Sequence, residues 1–255
     1  MSDRKGDKPC ILVVDDEQMM AKTVADILRV KGYKAETAFS GLEAIEKVGR
    51  RSFDAVFMDI KMSGINGVEA FVKIKSVVPE LPVVLMTAYS DDKLVYQARE
   101  QDALGILIKP LDFSVVLSFL SALEKEKVIL IIDDDNEFCK TLSGILQKRT
   151  FTVCYETDPS KAMNYLKRED VGMVLLDMKL DGIDGLEVLR KIKEKYPHLP
   201  VILITGYVDE MGPLIEKGLE LNAFAYLNKP LEMEKLFLLL EELKRKKLRD
   251  ALRKG

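Results

Sequence analysis

The 255-residue sequence predicts an α/β protein made of two similar domains, each a doubly wound parallel sheet. Two observations carry this prediction. A set of short motifs occurs twice in the same order, and within each copy short apolar runs alternate with amphipathic segments of helical length. The length also exceeds the roughly 100–150 residues most common for one domain, so two separate cores are expected.

The repeat is defined by an acidic pair, a lone aspartate, a threonine and a Lys-Pro pair. The first three landmarks recur at an offset of 118 (133 − 15 = 118), and the last at 120 (229 − 109 = 120), as expected for two extra residues in the second copy. The two sets are Asp15-Asp16, Asp59, Thr87 and Lys109-Pro110, and Asp133-Asp134, Asp177, Thr205 and Lys229-Pro230. The period is far too long for a solenoid, so the chain is a domain duplication.

Continuous apolar runs, without alternation, predict strands that helices cover on both faces, which is typical of a parallel sheet. The runs are Cys10 to Val14, Ala55 to Met58, Val83 to Met86 and Gly105 to Ile108 in the first copy, and Val128 to Ile132, Gly172 to Leu176, Val201 to Ile204 and Ala223 to Leu227 in the second. Weaker strands are predicted around Lys34 to Thr37 and Thr152 to Glu156. Each copy is therefore predicted to be a flavodoxin-like (βα)5 domain with strand order 2-1-3-4-5.

The predicted organisation has a disordered start at residues 1–8, domains at 9–126 and 127–244, and a basic helical extension at 245–255. Helix N-caps are expected at Ser40, Asn66, Asp112 and Asp158. Ser121 to Lys127 joins the domains without a Pro, Gly or Ser linker. The extension is interpreted either as a solvated basic face or as a helix that docks a partner or forms a dimer.

Composition excludes several functional classes. The net charge of -3 gives no general attraction to nucleic acid. Three cysteines without metal-ligand spacing indicate neither a disulfide framework nor a zinc site. No stretch approaches the roughly 20 apolar residues of a membrane span, and no signal sequence is evident, so we expect a cytoplasmic protein without nucleic-acid binding or membrane insertion.

The repeated polar residues are expected to meet at one edge of each sheet, because each follows a strand and strand ends collect there. Three clustered carboxylates repel one another and need a cation to remain ionised together. Oxygen ligands alone indicate Mg²⁺. A carboxylate beside a divalent cation and a lysine can attack phosphorus, which makes Asp59 and Asp177 candidate nucleophiles.

These residues resemble the response-regulator receiver family over Pro9 to Lys125 and again over Lys127 to Lys244. The resemblance implies a two-component signalling protein that accepts one phosphoryl group and binds one Mg²⁺ per domain. Asp15 and Asp133 would act on the ion through water. The implied acceptors are Asp59 and Asp177, the catalytic and switch residues Thr87, Lys109, Thr205, Lys229 and Tyr226, and the metal ligands Asp15, Asp16, Asp59 and the Lys61 carbonyl, with Asp133, Asp134, Asp177 and the Lys179 carbonyl.

The sequence departs from the family pattern at three kinds of position. Ser63 and Asp181 replace the usual proline after each acceptor, which is expected to loosen the loop that carries the carbonyl ligand. Ile106 stands where the second copy has the switch aromatic Tyr226. Lys61 and Lys179 replace the acid or amide that positions an attacking water in relatives, so a long-lived phosphoaspartate is predicted.

Two receivers take up nearly the whole sequence, so we expect output through phosphorylation-dependent binding to a protein target or to another copy, and no independent enzymatic turnover. His198 lies in a proline-flanked turn, so the phosphodonor is expected to be a separate histidine kinase or phosphotransfer protein. One rival is a haloacid-dehalogenase-like phosphatase, although Lys61 and Lys179 occupy the place of its second acid. The others are a phosphorylation-independent scaffold and a phosphate sink.

Overall fold

The structure is a computed structural model that describes residues 8–89, 93–124, 128–168, 170–206 and 208–253. It divides into two compact units, one of Met1–Lys125 with Arg245–Gly255 and one of Glu126–Lys244. The start predicted to be disordered lies outside the described residues, apart from Lys8. Residues 125–127 of the predicted connector Ser121 to Lys127 lie outside them as well. Within the described part of the chain, no helix has both the length and the apolarity to cross a bilayer.

The first unit is one parallel sheet with five helices between Gln18 and Glu124, together with the end of the last helix of the chain. Its strands are β1 Cys10–Val14, β2 Lys34–Ala38, β3 Ala55–Asp59, β4 Val83–Thr87 and β5 Gly105–Ile108. Its helices are α1 Gln18–Val30, α2 Gly41–Arg50, α3 Gly67–Val77, α4 Lys93–Glu100 and α5 Phe113–Glu124. The strand order is β2-β1-β3-β4-β5, as predicted, and all neighbours pair in parallel.

The second unit repeats this sheet and adds a short hairpin. Its strands are β6 Val128–Ile132, β7 Val153–Glu156, β8 Val171–Asp177, β9 Lys179–Leu180, β10 Ile183–Asp184, β11 Val201–Thr205 and β12 Ala225–Asn228. Its helices are α6 Asn136–Lys148, α7 Ala162–Arg168, α8 Gly185–Lys195, α9 Val208–Glu220 and the first part of α10, with a 3₁₀ turn at Pro159–Lys161. Helix α10 runs over Met233–Arg253, and its residues from Arg245 onward belong to the first unit. The main sheet has the order β7-β6-β8-β11-β12, equivalent to 2-1-3-4-5, and β9 pairs with β10 in a separate antiparallel hairpin.

Both faces of each parallel sheet are buried, which explains the continuous apolar runs. In β1, Leu12 and Val14 pack on one side of the sheet, while Ile11 and Val13 pack on the other. The second unit shows the same division, with Leu130 on one side and Ile131 on the other. Because the residues of the central strands meet a helix layer on either face, alternation with polar residues is not needed there.

Local hydrogen bonds support most of the predicted helix starts. The Ser40 side chain accepts from the Glu43 amide at 3.2 Å, and Asn66 accepts from the amides of Val68 and Glu69. Asp112 accepts from the Ser114 amide at 2.8 Å, and Asp158 accepts from the Ser160 amide at 3.0 Å. These contacts satisfy amides that have no partner within the first helical turn.

The end of α10, from Arg245 onward, is part of the first unit, and the interpretation of it as a solvated basic face is wrong for one side of the helix. Leu248 is 2% exposed and belongs to the apolar cluster that contains Phe119 of α5. Lys247 Nζ donates to the Ala122 carbonyl at 2.8 Å, and Arg245 and Arg249 pair with Asp102. Leucines spaced along one helical face meet an apolar surface here, while the cations reach its polar rim.

Candidate functional site

The predicted polar residues meet at the carboxyl edge of each parallel sheet. Asp15 follows β1, Asp59 ends β3, Thr87 ends β4 and Lys109 follows β5. Asp15, Asp59 and Thr87 are 2%, 5% and 1% exposed. Burial this complete is unusual for acids and marks Asp15 and Asp59 as candidates for a functional site.

In the first unit, one lysine bridges two buried carboxylates. Lys109 Nζ lies 2.7 Å from Asp15 Oδ2 and 2.5 Å from Asp59 Oδ1. The Glu17 amide also donates to Asp15 Oδ1 at 3.0 Å. Because Lys109 stands between the two acids, its ammonium offsets the repulsion that would otherwise oppose their joint ionisation.

Burial and pairing shift the pKa values of these groups. Burial raises the pKa of Asp59, the charge of Asp15 adds to the rise, and Lys109 opposes it without cancelling it. Burial would lower the pKa of Lys109, but its hydrogen bonds to Asp15 and Asp59 outweigh that effect and the net shift is upward. The site therefore holds a firmly protonated cation against a carboxylate that gives up its proton less readily than usual.

Asp16, the second acid of the pair, has a different partner. The amide and the hydroxyl of Ser63 both donate to Asp16 Oδ2, each at 2.8 Å. The hydrogen bond from the Ser63 amide is the main cause that lowers the pKa of Asp16, against a smaller opposing effect of burial. Asp16 is exposed and ionised, and Ser63 links it to the loop after β3.

The buried hydroxyl of Thr87 bonds locally. Thr87 Oγ1 accepts from the Tyr89 amide at 3.1 Å and lies 3.2 Å from the Tyr89 carbonyl. The exposed ring of Tyr89 has Lys61 Nζ 4.2 Å from its centroid. Thr87 thus lies at the carboxyl edge of the sheet, as predicted, and its hydroxyl is hydrogen-bonded to the backbone of Tyr89.

The second unit has the same lysine bridge. Lys229 Nζ lies 2.7 Å from Asp133 Oδ2 and 2.6 Å from Asp177 Oδ2, and Asp133 is fully buried. Burial raises the pKa of Asp133, and Asp177 contributes to that rise against the effect of Lys229. Thr205, 1% exposed, ends β11 beside them.

Three acids of the second unit are close enough to share a metal ion. One carboxylate oxygen each from Asp133, Asp134 and Asp177 lies within 4.8 Å of the others. Among the described residues, this is the one group of three acids with so close an approach. An all-oxygen donor set of this kind fits Mg²⁺, which binds through a few carboxylates and keeps several waters.

Backbone contacts position the segment after Asp177. The Lys179 amide donates to Asp177 Oδ1 at 3.1 Å, and the β9–β10 hairpin pairs Lys179 with Asp184. Lys179 thus begins β9, whereas Lys61 lies in the loop after β3, and coordination through either carbonyl remains a prediction. Asp181 lies in the turn of the hairpin.

Two glycines that the sequence motifs do not include lie against the candidate acceptors. Gly67 begins α3 and Gly185 begins α8, and a Cβ on either would overlap the main-chain carbonyl oxygen of Asp59 or Asp177. The two glycines are separated by the offset of the repeat (185 − 67 = 118), so the repeat contains a signal for them.

Phe138 and Cys139 adjoin the second lysine bridge. Lys229 Nζ lies 4.3 Å from the centroid of the Phe138 ring, which adds a cation–π contact. Met20 is at the equivalent position of the first unit and has no ring that could make this contact. Cys139 is fully buried and its thiol donates to the Asp133 carbonyl at 3.4 Å. Burial, with the nearby acids, raises the pKa of Cys139 to about 12, so the thiol is not a nucleophile.

The predicted switch positions lie on edge strands. Tyr226 on β12 is 43% exposed, whereas Ile106 on β5 is half-buried against the core. The two units therefore differ at this position in exposure as well as in residue type, and a switching role of Tyr226 remains a prediction. His198 lies exposed in the turn between α8 and β11, outside any helix.

Comparison with known families settles the class of these two units. A family model described as the response regulator receiver domain matches residues 11–121 and again residues 129–241. The chain belongs to this family. The two matches coincide with the two parallel sheets, so the chain contains two receiver domains of the kind found in two-component response regulators.

Similar proteins agree with this assignment. A response regulator receiver protein of Anaeromyxobacter sp. (strain Fw109-5) is 28% identical over 241 residues, covering 92% of this chain and 95% of the relative. The transcriptional regulatory protein ZraR of Klebsiella oxytoca is 41% identical over 116 residues, covering 46% of this chain and 26% of ZraR. The chain matches only about a quarter of ZraR, so the likeness concerns one receiver.

Among solved structures, the receiver domain of the Francisella response regulator 1452 is 20% identical and covers 47% of this chain and 98% of its own, with a TM-score of 0.43. The chemotaxis protein CheY4 of Vibrio cholerae is 26% identical and covers 46% of this chain and 98% of its own, with a TM-score of 0.41. The fold assignment rests on the observed strand order and not on these scores.

Proposed function

We propose that each receiver accepts a phosphoryl group on its strand-end aspartate, Asp59 in the first and Asp177 in the second. The observation that carries this proposal is the lysine bridge: in both units a buried acceptor carboxylate and a buried neighbouring acid share one ammonium group. An ion bridge with so little solvent is costly to assemble, and its occurrence in both copies favours a chemical role.

The proposed donor is a phosphohistidine of a sensor histidine kinase or a histidine phosphotransfer protein. A carboxylate oxygen of Asp59 or Asp177 forms a bond to phosphorus, and the bond from phosphorus to the donor nitrogen breaks. The imidazole nitrogen keeps the electron pair. The ammonium of Lys109 or Lys229 already lies against the reacting carboxylate, so it can pair with an oxygen of the incoming phosphoryl group.

The residues present fit one Mg²⁺ per receiver. In the first receiver Asp16, Asp59 and the Lys61 carbonyl would hold it, and in the second Asp134, Asp177 and the Lys179 carbonyl would do so. Asp15 and Asp133 would contact it through water. The chemistry that such an ion would supply is neutralisation of charge on the phosphoryl oxygens.

Phosphorylation is proposed to act as a signal through binding. The added charge shifts each receiver between two conformations and changes its affinity for a protein target or for another copy of the chain. Thr87 or Thr205 would give up its present contacts to donate to the phosphoryl group, and Tyr226 would move with it. We propose no independent substrate turnover, no nucleic-acid partner, no membrane insertion and a cytoplasmic setting.

The test is the intact mass of the protein after incubation with Mg²⁺ and acetyl phosphate. Two added phosphoryl groups are expected for the natural chain and one for Asp59→Ala or Asp177→Ala. The double variant should gain none. Phosphorylation that persists in the double variant would overturn the assignment of the acceptors.

Parallel assays separate the rival functions. A haloacid-dehalogenase-like phosphatase would turn over phosphate monoesters continuously, whereas a receiver releases no more phosphate than its acceptors carry. A phosphorylation-independent scaffold would bind its partner equally well with and without a beryllium fluoride mimic of the phosphoryl group. A phosphate sink would lose label without any change in partner affinity.

A further inference from the structure

The loops after the two acceptors differ at one position that contacts the metal-binding acids. Ser63 in the first receiver corresponds to Asp181 in the second (181 − 63 = 118). Ser63 directs two donors, its amide and its hydroxyl, at the same oxygen of Asp16. The Asp181 side chain has no hydroxyl that could take the place of the second donor.

The second receiver keeps its acids together without such a tie. Oxygens of Asp133, Asp134 and Asp177 lie within 4.8 Å of one another, and the acids of the first receiver do not form such a group among the described residues. The β9–β10 hairpin also fixes the loop that carries Lys179, through the pairing of Ile183 with Leu180 and of Asp184 with Lys179. The second site is therefore closer to the arrangement that an ion needs.

Metal binding at the first site has to compete with existing hydrogen bonds. Asp16 must turn toward the ion or share an oxygen that already accepts from Ser63, and either change weakens two bonds to a charged acceptor. Both bonds are solvent-exposed, so their net effect is modest. The corresponding acid of the second receiver, Asp134, is half-buried beside Asp133 and Asp177.

We propose that Ser63 competes with Mg²⁺ for Asp16, so that the first receiver binds the ion more weakly than the second and requires more Mg²⁺ to accept a phosphoryl group. The order of phosphorylation rests on the proposed acceptors, and the difference in affinity rests on the proposed Mg²⁺ sites. The expected difference in dissociation constant is about threefold to tenfold, from the usual net strength of such hydrogen bonds. Ser63 is thus a positioning residue that sets the order in which the two sites fill.

Calorimetric titration of the full chain with Mg²⁺ tests the affinity, with each site isolated by a variant of the other. Asp134→Ala leaves the first site, and Asp16→Ala leaves the second. Ser63→Ala in the first background removes the hydroxyl donor and should tighten Mg²⁺ binding severalfold. Ser63→Pro removes both donors and should tighten it further.

Asp181→Ser in the second background is the matched reverse variant and should weaken binding there. Circular dichroism verifies that each variant is folded, and Ser63→Ala alone decides the matter if Ser63→Pro disturbs the loop. Equal affinities of the two isolated sites, or a first site unchanged by Ser63→Ala, would overturn the inference.

Peptide-level measurement of phosphorylation across Mg²⁺ concentrations separates this inference from the proposed function. Asp177 is expected to be labelled at lower Mg²⁺ than Asp59, and Ser63→Ala should bring the two curves together. Identical curves for both aspartates would refute the ordering while leaving both acceptors in place. Absence of label at saturating Mg²⁺ would instead remove the proposed function, whatever the measured affinities.

Discussion

Gly67, the first residue of α3, packs directly against the main-chain carbonyl of Asp59, where a side-chain carbon has no room. The helix can therefore begin close behind the acceptor and hold its loop. We predict that Gly67→Ala lowers the free energy of unfolding by about 1–3 kcal/mol, because backbone must move to admit the methyl group. Phosphorylation of Asp59 should fall with it, while that of Asp177 should not.

Gly49→Ala is the control for this change. Gly49 lies in α2 with open space where a Cβ would be added, so alanine should raise helix stability by roughly 0.5–1 kcal/mol. Denaturant unfolding and peptide-level phosphorylation measure both variants. Equal stability of the two variants would contradict the close contact at Gly67.

Asp59→Asn is predicted to stabilise the metal-free protein at neutral pH. Burial raises the pKa of Asp59 above its ordinary value of 3.8, so the ionised form is disfavoured in the folded state. The natural protein therefore loses stability as pH rises from about 3.8 to the folded-state pKa, and the variant does not. The advantage of the variant in EDTA should grow through this window and then level off. A constant difference at all pH values would contradict the upward shift.

Lys109→Ala is expected to reduce the rate of Asp59 phosphorylation by roughly a hundredfold, as for the loss of a preorganised charge at a reacting oxygen. The same change at Lys229 should act on Asp177 in the second receiver. Each variant serves as the control of the other, since the unaltered receiver reports on acetyl phosphate and Mg²⁺. Mass analysis of proteolytic peptides gives both rates, and loss of labelling in both receivers from one variant would argue against separate sites.

Leu248→Ala should destabilise the first unit by about 2–5 kcal/mol, because Leu248 is 2% exposed within the cluster that contains Phe119. Leu238 lies on the same helix but is 66% exposed. Leu238→Ala is therefore expected to change stability by less than about 0.5 kcal/mol. Thermal unfolding of the full chain compares them, and similar effects would show that Leu248 does not occupy the core.

Cys139 should resist alkylation in the folded protein, since burial raises its pKa to about 12 and leaves no thiolate at neutral pH. Cys10 and Cys154 are half-buried and serve as internal controls. Iodoacetamide treatment followed by mass analysis should label Cys139 only after unfolding. Rapid labelling of Cys139 under native conditions would contradict its burial.

Much of the fold could be predicted from the sequence because buried parallel strands leave a strong pattern. The predicted bounds of Val128 to Ile132 and of Gly105 to Ile108 match those of β6 and β5, and the predicted strand Ala55 to Met58 is one residue shorter than β3. The offset between the two sets of motifs then located the strand ends, where the polar residues of the site lie. The spacing of the motifs and their place after each strand were enough to predict the site, without any knowledge of side-chain contacts.

Other features could not be predicted because they depend on contacts between distant residues. The hairpin of Lys179–Leu180 with Ile183–Asp184 involves only two residues on each strand, too few to leave a pattern. The hydrogen bonds from Ser63 to Asp16 depend on the geometry of the loop after β3. The serine at position 63 shows only that the sequence departs from the proline of the family pattern, and it does not indicate what the serine contacts. The apolar face of Arg245–Arg253 was obscured by the many cations beside it.

The first receiver takes Leu248 from a stretch of chain that is translated after the whole of the second receiver. A ribosome therefore finishes the sheet and five helices of the first receiver while the apolar surface beside α5 still lacks this side chain. The domain encoded first is the last to be completed. A premature stop codon just beyond Lys244 would thus leave an open core in the receiver farthest from the mutation.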